Sequence, residues 1–145
     1  MITMSEFKAA IFDLGGTLVD DRQLVYTAHS AILGESSSDV PSREEFDKEF
    51  TSNWVELYEK RGLHVEPAKF FRRLEDFTSD KRYFQTIKPY AGTVDALERI
   101  KKKMRIALNT SFRKKEAAAI LRLVPLPKFD AVATGDDITR LKPDP

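Results

Sequence analysis

The residues best suited to chemistry lie between Ala9 and Asp20, in Ala-Ala-Ile-Phe-Asp-Leu-Gly-Gly-Thr-Leu-Val-Asp. A short apolar run, Ala9 to Phe12, ends in the carboxylate of Asp13, and a Gly15-Gly16-Thr17 turn follows at once. A buried strand that delivers one Asp to a glycine-rich turn sets a nucleophile beside a cradle of backbone N–H groups. Two more segments place a reactive group at the end of an element. Arg105-Ile106-Ala107-Leu108-Asn109 runs into the hydroxyls of Thr110-Ser111, and Lys142 opens Lys142-Pro143-Asp144-Pro145. A phosphoryl group spreads charge over three oxygens, so its enzyme needs a nucleophile, fixed donors and a cation. Asp13, Thr110 and Lys142 are of those three types.

These groups need elements to hold them. Lys8 to Phe12 reads as a buried strand stopped by Gly15-Gly16. From Asp20 to Phe84 apolar residues recur at helical spacing and strand signals vanish. The spacing predicts a helix over Asp21 to Leu33, closed by Gly34, then a Ser-rich connector from Glu35 to Val40. Ser42-Arg43-Glu44-Glu45 is a capping-box pattern. It leads into one apolar stripe of Phe46, Phe50, Trp54, Leu57 and Tyr58, with Gly62 just past its end. Pro67 opens a further helix carrying Phe70, Phe71, Leu74 and Phe77. At helical spacing these aromatic residues read as the core of a small bundle. His29 and His64 have no partner at ligand spacing and read as surface or capping residues.

After Pro89-Tyr90-Ala91-Gly92, Thr93 is placed to cap a helix with Val94, Leu97 and Ile100 on one face. Arg105 to Leu108 reads as a strand, Ser111 to Leu123 as a helix and Phe129 to Ala133 as a third strand. Such alternation argues for an α/β fold with a parallel sheet and right-handed crossovers. The charge runs Lys101-Lys102-Lys103 and Arg113-Lys114-Lys115 read as solvated helix faces, with Arg113 and Lys114 near enough to Thr110 to be weighed as substrate contacts. Asp136 and Asp137 read as capping residues of the loop after the third strand.

Composition narrows the class. A chain of 145 residues with ordinary apolar content fits one domain, or a small core with an insertion. A formal net charge of +1 gives no pull toward nucleic acid or anionic membranes. The chain has no cysteine, which removes disulfides, thiolate chemistry and Cys-based metal sites. Met1-Ile2-Thr3-Met4-Ser5-Glu6 is not a secretory signal, and no apolar run approaches the ~20 residues that span a bilayer. A cytoplasmic protein is the expectation.

Together the three reactive segments resemble the motifs of the haloacid dehalogenase-like (HAD) hydrolases. The family's first motif is Asp-x-Asp-Gly-Thr-Leu/Val after an apolar strand, and Asp13-Leu14-Gly15-Gly16-Thr17-Leu18 matches it except at Gly15, where the family usually has a second Asp. The second motif, a Thr or Ser closing another strand, corresponds to Thr110-Ser111. The third, commonly Lys-Pro-x-Pro, corresponds to Lys142-Pro143-Asp144-Pro145. The resemblance implies a Rossmann-like HAD core over 1–19 and 86–145, with a helical cap over 20–85 like that of phosphoglycolate- and sugar-phosphate-type phosphatases. It implies hydrolysis of a small phosphorylated metabolite, with Asp13 as nucleophile and Thr110 and Lys142 completing the catalytic set. Leu14, Gly15, Thr110, Ser111 and Lys142 would bind phosphate, and the Asp13 carboxylate with the Gly15 carbonyl would hold Mg²⁺.

Two departures bear on that implication. The family's second Asp protonates the leaving oxygen and then activates water, help worth ~10²–10⁴-fold, and Gly15 has no side chain for it. This opens a phosphonatase- or dehalogenase-like alternative: the dehalogenases have an aromatic residue there, which Gly15 does not match, and the phosphonatase-like members have a small residue and use a cap lysine, for which the insert offers Lys48 and Lys60, though nothing in the sequence aims either at Asp13. It also predicts that Gly15→Asp would raise phosphatase activity. The acidic fourth motif is not found before Pro145. Its absence implies weak Mg²⁺ binding, and it opens a second alternative, an impaired or truncated member acting as a binding protein. It also implies that C-terminal strands are missing from the sheet. The first strand would then be an edge, poised for self-association, or the sequence would be a fragment of a longer one.

Overall fold

A computed structural model describes residues 7–37, 39–50, 54–78, 84–140 and 142. The chain divides into two compact units, Met1–Asp21 with Ile87–Thr139, and Arg22–Thr86 with Arg140–Pro145.

The first unit is α/β. Strand β1, Ala9–Phe12, runs parallel to β4, Arg105–Asn109, which runs parallel to β5, Ala131–Ala133, in the order β1-β4-β5. The register pairs Phe12 with Leu108 and Leu108 with Val132. Asp130 fastens the sheet's start, its N–H donating to the Ile106 carbonyl while its Oδ2 accepts from the Ile106 N–H at 2.9 Å. Between β1 and β4 lie a small antiparallel pair, β2 (Val19–Asp20) with β3 (Lys88–Pro89), and helix α5, Thr93–Lys101. Helix α6, Lys114–Leu123, connects β4 to β5. Alternate strand residues face opposite sides. Ile106 and Leu108 are fully buried, as are Leu97 of α5 and Ile120 of α6, so one sheet face carries the core. The opposite face bears Ile11, which is 72% exposed.

Helix starts here differ from the sequence expectation. Gly92, at φ +79°, is the N-cap of α5, and Thr93 is its first helical residue, with its N–H on the Tyr90 carbonyl. A left-handed turn at that point suits glycine and leaves Thr93 no capping geometry. Helix α6 starts at Lys114, because Arg113 stays extended and its N–H donates to Glu116 Oε2 at 2.9 Å.

The second unit is helical: α1 (Arg22–Ser36), α2 (Arg43–Glu49), α3 (Val55–Glu59) and α4 (Pro67–Thr78). Gly34 does not close α1. The helix continues to Ser36, with the Ser37 N–H on the Leu33 carbonyl at 2.8 Å. The capping box at Ser42 forms as its sequence predicts, Ser42 Oγ accepting from the Glu45 N–H and Glu45 Oε2 from the Ser42 N–H. The apolar stripe is split between two helices, because Phe50 turns extended at φ −71°, ψ 122° and ends α2. Residues 51–53 lie outside the described residues. Gly62, at φ +68°, follows α3 as expected.

Phe46, Trp54, Leu57, Tyr58 and Phe70 form the core of this unit with Ile32 and Leu33, and Phe50, Phe71, Leu74 and Phe77 pack around them. Trp54 stacks on Phe70 with centroids 3.9 Å apart. The expectation for His29 is overturned. It is buried at 5% exposure, ringed by Phe46, Phe50, Trp54, Tyr58 and Phe70, and its Nδ1 bonds the Tyr58 hydroxyl at 3.1 Å. One face of α1 buries whatever it carries, and the Tyr58 hydroxyl supplies the polar partner that burial demands. His64 is exposed.

Candidate active site

The parallel sheet positions the site. Asp13 follows the last residue of β1, Thr110 the last of β4 and Thr134 the last of β5, so three strands deliver a carboxylate and two hydroxyls to one carboxyl edge. Open α/β sheets bind ligands at that edge. Thr110 is 2% exposed, and its N–H donates to the Ala133 carbonyl at 3.0 Å. Its Oγ1 accepts from the Phe112 N–H at 3.2 Å, which uses a lone pair and not the hydroxyl proton. Thr134 was not among the residues singled out in the sequence. Its N–H and Oγ1 both donate to Asp137 Oδ2 at 2.8 Å, so its role is to shape the loop after β5.

After Asp13 the chain folds back on itself. The Leu14 carbonyl accepts from the N–H groups of Leu18 at 2.9 Å and Val19 at 3.1 Å, and the Gly16 N–H donates to the Val19 carbonyl at 3.0 Å. Gly16 sits at φ +68°, a left-handed conformation that glycine takes without steric cost. The Leu14 side chain is buried, which anchors the turn in the core. The bridge between Gly15 and Val19 engages the Leu14 carbonyl and the Gly16 N–H, and leaves the Gly15 carbonyl out.

Position 15 is not an empty place. A Cβ on Gly15 would fall on Asp21 Oδ2, inside any normal contact, and would lie 3.0 Å from both Asp21 Cγ and Phe112 Cε2. The expectation that a carboxylate could simply be added there is therefore corrected: a carboxylate already fills the space. Asp21 is 8% exposed. Burial raises its pKa above the ordinary carboxylate range, against the lowering effect of hydrogen bonds from its own N–H and that of Gly16, and the charges of Asp20 and Asp13 raise it further. The sequence signal was the Asp20-Asp21 doublet closing the first motif, which reads as an ordinary helix start.

The loops after β4 and β5 are knitted together. Gly135 lies against the Ser111 carbonyl, where a Cβ would approach to 2.6 Å, and its N–H donates to the Phe112 carbonyl at 2.9 Å. Asp136 accepts from Arg113 Nε at 2.7 Å and from the Lys114 N–H at 2.8 Å, and these bonds hold its carboxyl below the ordinary range. Arg113 is thus committed to Asp136, and both aspartates flank the loop as expected. Ser111 is exposed beside Thr110. Lys142 is half-buried and groups with the helical unit, while Pro143-Asp144-Pro145 lie outside the described residues. In the helical unit, Lys48 pairs with Glu44 at 2.8 Å on an exposed face.

Among the described residues no three His, Cys, Asp or Glu side chains cluster to hold an ion. The donors at the site are hard oxygens, the Asp13 carboxylate and the Gly15 carbonyl. Mg²⁺ is commonly held by one or two carboxylates with water and substrate phosphate, so this set suits Mg²⁺ bound together with substrate. The helical unit has a cleft of its own, floored by Ile32, Tyr58 and Phe70. Its rim charges are matched within the unit, Arg73 to Glu35 and Lys69 to Glu66. That pairing makes the cleft a poor anion site.

Residues 10–145 match a family model described as haloacid dehalogenase-like hydrolase. Among solved structures, a protein from Bacteroides fragilis assigned as a haloacid dehalogenase-like hydrolase aligns with TM-score 0.79 and 18% identity, covering 95% of this chain and 68% of that one. A protein from Haemophilus somnus assigned as a phosphoglycolate phosphatase aligns with TM-score 0.75 and 18% identity, covering 97% and 68%. CbbY from Rhodobacter sphaeroides, solved with phosphate, aligns with TM-score 0.69 and 21% identity, covering 92% and 65%. The chain thus spans about two thirds of the length of these structures. No curated protein matches it significantly. Among the described residues no helix is long and apolar enough to cross a membrane.

Proposed function

The chain belongs to the haloacid dehalogenase-like hydrolases, and from that premise we propose that it hydrolyses the phosphate ester of a small metabolite through an aspartyl-phosphate on Asp13. The observation that carries this reading is the placing of Asp13 and Thr110 one residue beyond the ends of two adjacent parallel strands. A carboxylate there attacks phosphorus along the sheet edge, while the Thr110 hydroxyl still has its proton to give to a phosphoryl oxygen. The backbone N–H groups of Leu14 and Gly15 and the hydroxyl of Ser111 would hold the remaining oxygens. Lys142 would neutralise the dianion from the loop beyond β5. Mg²⁺, held by Asp13 and the Gly15 carbonyl, would screen the charge between carboxylate and phosphate. Residues 20–85 would act as a cap that excludes water and selects substrate. The likeness to the Haemophilus somnus protein assigned as a phosphoglycolate phosphatase and to CbbY bound to phosphate supports the phosphatase reading over the carbon–halogen one.

The test is turnover of a panel of phosphate esters with Mg²⁺, alongside phosphonoacetaldehyde and haloacids. Release of inorganic phosphate from esters, abolished by Asp13→Asn, is the expected result. Turnover that is indifferent to Asp13→Asn overturns the mechanism.

A further inference from the structure

We propose that Asp21 is the proton-transfer carboxylate of this site, reaching from the far end of the turn into the space that the missing side chain of residue 15 leaves. The proposal rests on the phosphatase reading above. Its geometric basis is the position of Asp21 Oδ2 beside the point where a Cβ on Gly15 would lie, closer than real Cβ atoms come to any neighbour. Asp21 is buried there. Phe112, on the loop that Thr110 begins, has its Cε2 3.0 Å from the same point. Acid–base catalysis by paired carboxylates divides the work between a nucleophile and a proton donor, and Asp21 is the second carboxylate that the structure brings to this turn.

The steps balance. Asp13 Oδ forms a bond to phosphorus as the ester P–O bond breaks, and the leaving oxygen takes the proton of the Asp21 carboxyl. The Asp21 carboxylate then takes a proton from a water molecule whose oxygen attacks the aspartyl-phosphate. The P–O bond to Asp13 breaks, releasing inorganic phosphate and returning both carboxyls to their starting states.

Asp21 also precedes α1, and a purely structural role in that turn is the competing explanation. The test separates them by leaving group. An alkyl alkoxide needs a proton from the enzyme, whereas p-nitrophenolate does not. With Asp21→Asn, hydrolysis of alkyl phosphates should fall by ~10²–10⁴-fold. p-Nitrophenyl phosphate should give a stoichiometric burst of nitrophenolate followed by slow turnover, with the phosphoryl group retained on Asp13 by intact-mass measurement. Alkyl turnover within a few-fold of wild type, or an equal loss on both substrates with no burst and no adduct, overturns the proposal.

A second pair of variants guards against a folding defect. Asp21→Ser removes the obstructing carboxylate, and Gly15→Asp in that background supplies one from the other side of the contact. The double variant should recover alkyl turnover that Asp21→Ser lacks. A folded double variant that bursts on p-nitrophenyl phosphate but recovers no alkyl turnover overturns the proposal. Wild-type protein without Asp13-dependent phosphate release sinks the phosphatase reading itself, and this inference with it.

Discussion

A glycine leaves a space, and what fills that space decides how the position behaves. At Gly15 the neighbours are the buried Asp21 carboxylate and the Phe112 ring, the latter part of the loop that carries Thr110. Making room would move a buried carboxylate and a half-buried ring. Gly15→Ala should therefore destabilise by about 1–3 kcal/mol, the usual cost of overpacking a filled site. Urea unfolding measures it, and an unchanged midpoint contradicts the contact. Gly15→Asp should behave the same way or worse and should not raise activity by itself, contrary to what the motif alone suggests. The motif showed that a side chain was missing at Gly15. It could not show that Asp21, six positions on, folds back against position 15, because that return depends on the hydrogen bonds of one turn. Asp13 and Thr110 were legible for the opposite reason: each sits at the end of an apolar run, and strand ends are set by local pattern.

At the scale of elements, the capping box at Ser42 was readable because it is local, and it should be worth measuring. Helix α2 has seven residues, too few to persist by propensity. Ser42→Ala should cost about 1 kcal/mol, read as a lower urea midpoint. The end of α2 at Phe50 was not readable, because both segments of the stripe bury against the same core and helical spacing continues across the break. His29 shows the same limit. Its environment comes from α2, α3 and α4, none of which is near it in sequence. Burial lowers its pKa from the ordinary 6.5 to about 3. The unfolded chain takes up a proton as pH falls below 6.5, and the folded chain resists until about 3. The stabilising contribution is therefore complete above 6.5 and is lost progressively as pH falls through that window. At about 1.4 kcal/mol per unit the effect amounts to several kcal/mol. Unfolding by urea from pH 7 down to 4 should show wild type losing stability faster than His29→Gln, whose amide can still bond Tyr58 but does not titrate there. Parallel curves would contradict the burial.

At the scale of the whole molecule, alternation of strand and helix gave the parallel sheet, and the placing of β4 between β1 and β5 makes β1 an edge among the described residues. Pairing partners are long-range, so the order followed from the family resemblance and not from strand pattern. The edge has a physical consequence. β1 is short and apolar and carries no charge between Ala9 and Phe12. Ile11 projects from the face opposite the buried Ile106 and Leu108, beside Ala107 and Ala131 in register. An edge of that kind presents backbone groups and apolar side chains to any second copy of itself, and Lys8 flanks the strand without lying within it. The protein should therefore associate in a concentration-dependent way. Ile11→Lys should suppress association without loss of fold, since the new side chain points away from the core and adds the kind of charge that protects natural edges. Light scattering over a concentration series, with circular dichroism on both proteins, makes the measurement. A monomer at every concentration, or association that Ile11→Lys leaves intact, would mean that this edge is not where copies meet.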